Sequence, residues 1–360
     1  MFAGPKARLR DIWSGRACLG SGPLAEPLPV WVITDGVPGH EARSRGILAA
    51  LARLRPVAAE WVPGRLRNRL SRAVMAAAMA GGRRPPGWLL RACHRMVPPA
   101  TAPGLVLGAG GRTQFLALAL AEAHGVPALF AGLPAWIDAR RFTAVIVPYP
   151  LPGLANVIVL EVPVSAMSPA TAAEAGATLR AGLAPPVWTL LAGGDGGGYR
   201  YTADEWRALG EGLAAQARVA GATLTLSTSR RTGAQGEAAL RAGLGDFPLA
   251  QAVWWDSGDR DPVLPLIGAA DLVFVTADSA SMAGEAVAAG RPVVLLSPRH
   301  ARPAPRHAAL FERLAQRRRV AALPITGLAE AELPRPESFS PLPEPPVATM
   351  ARALGPMLGW

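Results

Sequence analysis

The chain has 360 residues, half of them hydrophobic and 18% charged, with a formal net charge of +11. That length suits two domains that each bury a core, and no apolar run reaches the roughly 18 residues a membrane-spanning helix needs. The positive charge is nearly all Arg and favours phosphates, anionic lipid or nucleic acid, while two cysteines in unrelated contexts, Cys18 and Cys93, support neither a disulfide framework nor a cysteine metal site and fit a reducing compartment.

Residues 1–28 are basic, with Lys6, Arg8, Arg10 and Arg16, and lack the apolar core of a signal peptide, so they read as a mobile extension. From Val30 onward short β-rich runs alternate with helical stretches. Strands are predicted at 30–34, 56–62, 105–108, 127–132, 143–148 and 156–160, with helices at 40–54, 65–80 and 112–124. After an Ala-rich stretch at 170–182 the pattern restarts, with strands at 187–193, 223–229, 252–255, 272–276 and 292–296. Beyond residue 322 the chain turns rich in Pro and Glu and ends in a short apolar helix at about 346–358. Strand-helix alternation of this kind predicts parallel sheets with right-handed crossovers. The expected architecture is α/β: two Rossmann-like, doubly wound domains facing a central cleft. The first spans 29–163, a linker 164–186, the second 187–332, and a Pro-rich arm with its helix 333–360.

Polar residues cluster where predicted strands hand over to helices, which is where open α/β sheets hold ligands. In "TDGVPGHEA" Asp35 and His40 are candidates for a catalytic base, and Gly39 offers a free amide at a helix start. In "LVLGAGGRT" Thr113 stands where a dinucleotide fingerprint needs Gly, so the turn serves to bring Gly110, Arg112 and Thr113 towards the cleft. Five glycines surround Asp195 in "LLAGGDGGGY", ahead of a helix whose capping box is Thr202 and Glu205. In "STSRRTG" Ser229, Arg230 and Arg231 suit a diphosphate, because guanidinium forks match phosphate oxygens. "GDRDP" resembles a D-x-D metal motif, but Asp261 before Pro262 is an ordinary helix start, and no metal site is expected. In "VTADSASMAGEAVAAG" Ser279 or Ser281 caps a helix whose amides can seat a diphosphate, and Glu285 can accept hydrogen bonds from the two hydroxyls of a ribose.

Taken together, "TDGVPGH", "LVLGAGGRT", "LLAGGDGGGY", "TSRRT" and "TADSASMAGEA...GRPV" resemble the mitochondrial fission, elongated-mitochondria-like family. Its bacterial members were formerly labelled nucleoside-diphosphate-sugar epimerases, and the family is similar to the GT-B glycosyltransferase-like superfamily. The resemblance implies a nucleotide or diphosphate surrounded by Gly194, Asp195, Ser229, Arg230, Arg231, Thr276, Asp278, Ser279, Ser281, Met282 and Glu285. Asp35, Gly39 and His40 would face the acceptor. Two positions in the first motif depart from the pattern: Val37 replaces a usual Lys, and Arg43 lies near a usual Gln.

The expected function is a metal-independent glycosyltransferase that uses a nucleoside-diphosphate sugar as substrate, with no cofactor, on an envelope or lipid-linked acceptor. The alternatives are a non-catalytic peripheral-membrane adaptor and a nucleoside-diphosphate-sugar epimerase. The basic stretch 65–84 suits an anionic membrane surface. No nucleic-acid partner is expected, since aromatics do not interleave the basic runs, and the expected location is cytoplasmic or peripheral on the inner membrane face.

Overall fold

The structure, a computed structural model, describes residues 26–97, 99–258 and 263–360. Most of the predicted N-terminal extension, with Cys18, and the Asp261-Pro262 helix start lie outside the described residues.

The first domain opens with β1 (Leu28–Thr34), α1 (Pro38–Ala52), β2 (Val57–Pro63), α2 (Arg69–Met79) and α3 (Gly87–Cys93). It continues with β3 (Leu105–Ala109), α4 (Gln114–His124), β4 (Ala128–Ala131), β5 (Ala144–Val147) and β6 (Val157–Val159). Its strands form one parallel sheet in the order β2-β1-β3-β4-β5-β6. Helices cover both faces, which is why the central strands are apolar throughout instead of alternating. Trp31 and Ile33 of β1 point to a core shared with Met75, Phe115 and Leu116. Val30 and Val32 point to the opposite face, against Ile47 and Leu51 of α1.

The second domain starts one element earlier than the sequence suggests. Part of the stretch assigned to the linker forms α5 (Pro169–Ala181), begun by a capping box of Ser168 and Thr171 and followed by β7 (Val187–Leu191) and β8 (Tyr199–Arg200). Then come α6 (Ala203–Ala220), β9 (Thr223–Ser227), α7 (Gly233–Leu244), β10 (Leu249–Val253), α8 (Val263–Ala269), β11 (Leu272–Thr276) and α9 (Ala280–Ala288). The chain closes with β12 (Val293–Ser297), β13 (His300–Ala301), α10 (Pro305–Gln316), β14 (Ala321–Pro324) and α11 (Pro346–Leu358). The main sheet, again parallel, runs β10-β9-β7-β11-β12-β14, and β8 pairs with β13 antiparallel beside it. α5 lies so close on α8 that a Cβ at Gly176 would fall 2.2 Å from the Gly268 carbonyl carbon, and one at Gly268 would fall 2.0 Å from Ala172 O.

Each sheet runs outward in both directions from its first strand, the Rossmann order, so each has a switch point at the carboxyl ends of two neighbouring strands. These pairs are β1 with β3 and β7 with β11. Several contacts tie the domains together. α11 returns to the first domain, where Val347, Met350 and Leu354 join the core of Ile47 and Leu51. Glu161 receives Arg317 at 3.0 Å and Arg319 at 2.6 Å from the second domain. α9 packs on Pro163, leaving no room for a side chain at Gly284.

Candidate functional site

At the first switch point, β1 ends and Asp35 folds back into the turn. Its carboxylate accepts from the Val37 amide at 3.2 Å and meets His40 Nδ1 at 3.0 and 3.1 Å. The Asp35 side chain is fully buried while His40 keeps part of its ring exposed. The ring lies flat against Gly110 at the end of β3. A Cβ there would sit 2.2 Å from His40 Cε1, and φ at Gly110 is +81°. With Nδ1 held by Asp35, Nε2 is the nitrogen left for chemistry. Asp35 was a candidate base from sequence; its burial makes it the residue that orients His40. Thr113 is likewise corrected. It is wholly buried, with Oγ1 bonded back to the Ala109 and Gly110 carbonyls at 3.0 Å. Gly39 lies in the first turn of α1 with open space beside it, and Arg112 is exposed.

At the second switch point a network closes the glycine-rich turn after β7. Thr276 Oγ1 accepts from the Gly193 amide at 2.6 Å, and Asp278 Oδ2 accepts from the Gly194 amide at 3.1 Å. Tyr201 donates to Asp278 Oδ1 at 3.1 Å, and Arg231 Nη2 lies 2.6 Å from Oδ2. Burial pushes the Asp278 carboxyl above the usual range, while Arg231 and the hydrogen bonds oppose the shift. The same environment pushes the Tyr201 phenol up. Thr276 and Asp278 are 0% and 4% exposed. They were expected around the diphosphate, but their polar atoms are engaged in bracing the turn. Ser229 does similar work, donating to Gly193 O at 2.8 Å and accepting from the Arg231 amide at 3.2 Å. Asp195 accepts from the Tyr201 amide at 2.9 Å. Gly194 (φ +146°) leaves no room for a Cβ, which would stand 2.1 Å from Arg231 O.

The network leaves out a smaller set. Arg230 is exposed. Ser279 caps α9, accepting from the Met282 amide at 3.4 Å, and Met282 packs its side chain on the second core. Ser281 accepts from Arg43 Nη2 at 3.4 Å, a contact from α1 to α9 across the cleft. Arg43 is otherwise ill-satisfied: its Nε is buried without a partner, and burial lowers its pKa. Glu285 stands beside it, partly accessible at its surface yet surrounded by protein on nearly every side. Burial pushes its carboxyl up to about 7, against the pull of Arg43. A desolvated carboxyl and a guanidinium with an unpartnered Nε, one from each domain, thus lie within electrostatic reach of each other.

Sequence reasoning missed four participants: Arg43, noted only as a departure from the family pattern, Tyr149, Tyr201 and His307. Tyr149 lies within electrostatic reach of Arg43, and Arg306 stacks over its ring at 5.3 Å. His307 Nε2 bonds Ala277 O at 2.9 Å, and the ring meets Phe311 edge-on. Only α10 brings it to the site, and no local pattern announces that.

A family model described as mitochondrial fission ELM1 matches residues 38–353. The chain belongs to that family. The match runs from the start of α1 into α11 and so takes in His40, Arg43 and Glu285. No curated protein matches the chain in sequence. Among solved structures it is similar to UDP-GlcNAc 2-epimerase from Methanocaldococcus jannaschii, with a TM-score of 0.53 and 11% identity over 92% of this chain and 99% of that one. It is also similar to the Neisseria meningitidis enzyme of the same name, solved bound to UDP-GlcNAc, with a TM-score of 0.51 and 12% identity over 92% and 99% of the chains. ADP-heptose heptosyltransferase II of E. coli overlaps more loosely, with a TM-score of 0.44 and 14% identity over 92% and 98%. The fold of this ELM1-family chain is GT-B-like, two Rossmann-like domains around a cleft.

Proposed function

We propose that the chain is a metal-independent glycosyltransferase that takes a nucleoside-diphosphate sugar on its second domain. The observation that carries this reading is the neighbouring pair Glu285 and Arg43 at the start of α9, a carboxyl raised to about 7 by burial beside a guanidinium whose Nε is buried without a partner. An ionised Glu285 accepts from the vicinal hydroxyls of a ribose. The diphosphate lies against the α9 amides, where the helix dipole favours negative charge, with Arg230 and Arg43 supplying cationic neutralisation. His40 Nε2 takes the proton of an acceptor hydroxyl as its oxygen bonds to the anomeric carbon. The bond from that carbon to the diphosphate breaks in the same step, and the nucleoside diphosphate leaves with the electron pair. Asp35 keeps the imidazole aimed and stabilises its protonated form.

Incubation with a panel of UDP, GDP, CMP and ADP sugars and extracted acceptors, with product analysis, tests the reading. Transfer releases the nucleotide and yields a larger product; epimerisation yields an isomeric nucleotide sugar, so the outcomes separate. His40→Ala is expected to lower kcat by about 100- to 10,000-fold with donor affinity unchanged. Turnover that survives this change intact rules out His40 as the base.

A further inference from the structure

A second concave region lies on the first domain, outside the nucleotide site. It is a groove of about 830 Å³ lined by Arg65, Arg67, Arg69, Arg72, Arg95 and Arg112, with Trp136 at its edge. None of its lining residues is acidic. Four stretches of chain make it, 65–73, Arg95, Arg112 and Trp136, and the first two are joined directly: Leu66 bridges to His94, and the Arg95 amide donates to Arg65 O at 3.3 Å. Among the described residues, Arg67 alone of the six has a hydrogen-bonded side chain, through Nη2 to Arg91 O at 3.4 Å. Six cations held together without a counter-charge repel one another, and an anion in the groove relieves that repulsion.

The groove has a second unusual feature. Trp136 is 71% exposed and has φ +73°, a left-handed backbone that is strained for a residue with a side chain. The loop is fixed in place by Gln114, whose Oε1 accepts from the Ala135 amide at 2.7 Å, and by the buried Ile137 beyond it. The indole is therefore kept at the groove's rim by its surroundings. The groove also begins next to the chemistry. Arg112 is two residues from Gly110, against which the His40 ring rests, and two residues of chain span at most about 7 Å.

We propose that this groove anchors the acceptor and that the acceptor carries a phosphate or diphosphate next to an apolar group. The proposal rests on the transferase reading for the word acceptor, but its binding claim stands on the groove alone. Guanidinium forks pair with phosphate oxygens two at a time, the volume falls in the range of small-molecule sites, and the Trp136 indole gives an apolar neighbour something to pack on. The comparable groove beside the glycine-rich turn, about 850 Å³, includes Asp195 and lies on the second domain.

The test uses the full chain and calorimetric titration with two soluble probes, inorganic pyrophosphate and geranyl diphosphate. Both are expected to bind, the second more tightly. Arg65→Gln, Arg72→Gln and Arg112→Gln combined should weaken both by at least about tenfold, while Arg230→Gln leaves a groove-bound probe unaffected. Trp136→Ala should weaken geranyl diphosphate and leave pyrophosphate unchanged. The three arginines have no side-chain partners among the described residues, so the variant should melt with the parent; nucleotide-sugar affinity is measured on it in parallel. Retained nucleotide-sugar binding with lost probe binding supports the groove. Probe binding without any nucleotide-sugar binding sinks the donor reading and leaves the groove standing. Unchanged probe affinity in the triple variant overturns the proposal. So does flotation with vesicles of phosphatidylcholine and phosphatidylglycerol when neither soluble probe binds, since that outcome marks a membrane surface.

Discussion

Glu285 has its carboxyl pushed up to about 7 beside Arg43, so its charge changes close to neutrality. Below the ordinary value of 4.5 the folded and unfolded chains both hold the proton. Between 4.5 and 7 only the folded chain holds it, so stability of the ligand-free protein falls as pH rises through that window, by about 3 kcal/mol in total. Glu285→Gln is expected to flatten this part of the stability-pH curve in urea melts; an unchanged slope would place the titration elsewhere. The proposed binding of a ribose by the carboxylate is expected to have the opposite trend and to strengthen towards higher pH. Asp278 gives a different expectation. Arg231→Ala leaves its buried carboxyl without a cation at a cost of about 1 to 3 kcal/mol, since the Arg231 side chain is partly exposed and its pairing partly screened, larger at alkaline than at acid pH because protonation relieves it. A loss that does not depend on pH would show that Asp278 is neutral in the parent. The sequence showed that Ser279, Ser281 and Glu285 share a strand-helix junction. It could not show that Thr276, Asp278 and Ser229 turn inward, because a polar side chain at a turn serves a ligand or the backbone according to contacts made by distant residues, here Gly193, Gly194 and Tyr201.

At the scale of elements, the strands were legible because both faces of each sheet are covered and apolar runs therefore mark them. The α6 capping box was legible for a local reason: Thr202 accepts from the Glu205 amide, and Glu205 reaches back to the Thr202 amide, as their spacing implies. α5 was hidden by its composition, an Ala-rich stretch whose burial comes from a partner almost 100 residues on. β14, of alternating exposure at the sheet edge, was missed because its apolar run is short and leads straight into the Pro-rich arm. The contact of α5 with α8 has a direct consequence. Gly268→Ala drives a methyl into Ala172 O and should destabilise the second domain by about 1 to 3 kcal/mol. Gly87→Ala, at the start of α3, whose built Cβ meets nothing and whose backbone is not left-handed, is the control for an Ala substitution near a helix end. Equal melting temperatures for Gly268→Ala and the parent would contradict the packing. Gly110→Ala instead displaces the His40 ring and should abolish turnover with little effect on nucleotide binding.

For the whole molecule, the two domains are held in one relation by α11, by the Glu161 cluster and by the contact of Arg43 with Ser281. The repeated strand-helix alternation foretold two doubly wound domains, and the family motifs pointed to the cleft between them. Neither could show that α1 of one domain meets α9 of the other, since that contact depends on how the whole chain closes. The proposed function requires a nucleoside diphosphate to enter between α1 and α9 and to partner Glu285 and Arg43. Calorimetric titration of the full chain and of Glu285→Ala with UDP, GDP, CDP, ADP and their sugars tests it most directly. One-to-one binding of at least one member of the panel is expected, weakened by about tenfold or more in Glu285→Ala through loss of hydrogen bonds to a charged group. Binding of none of them, or binding that is indifferent to the loss of Glu285, would contradict it.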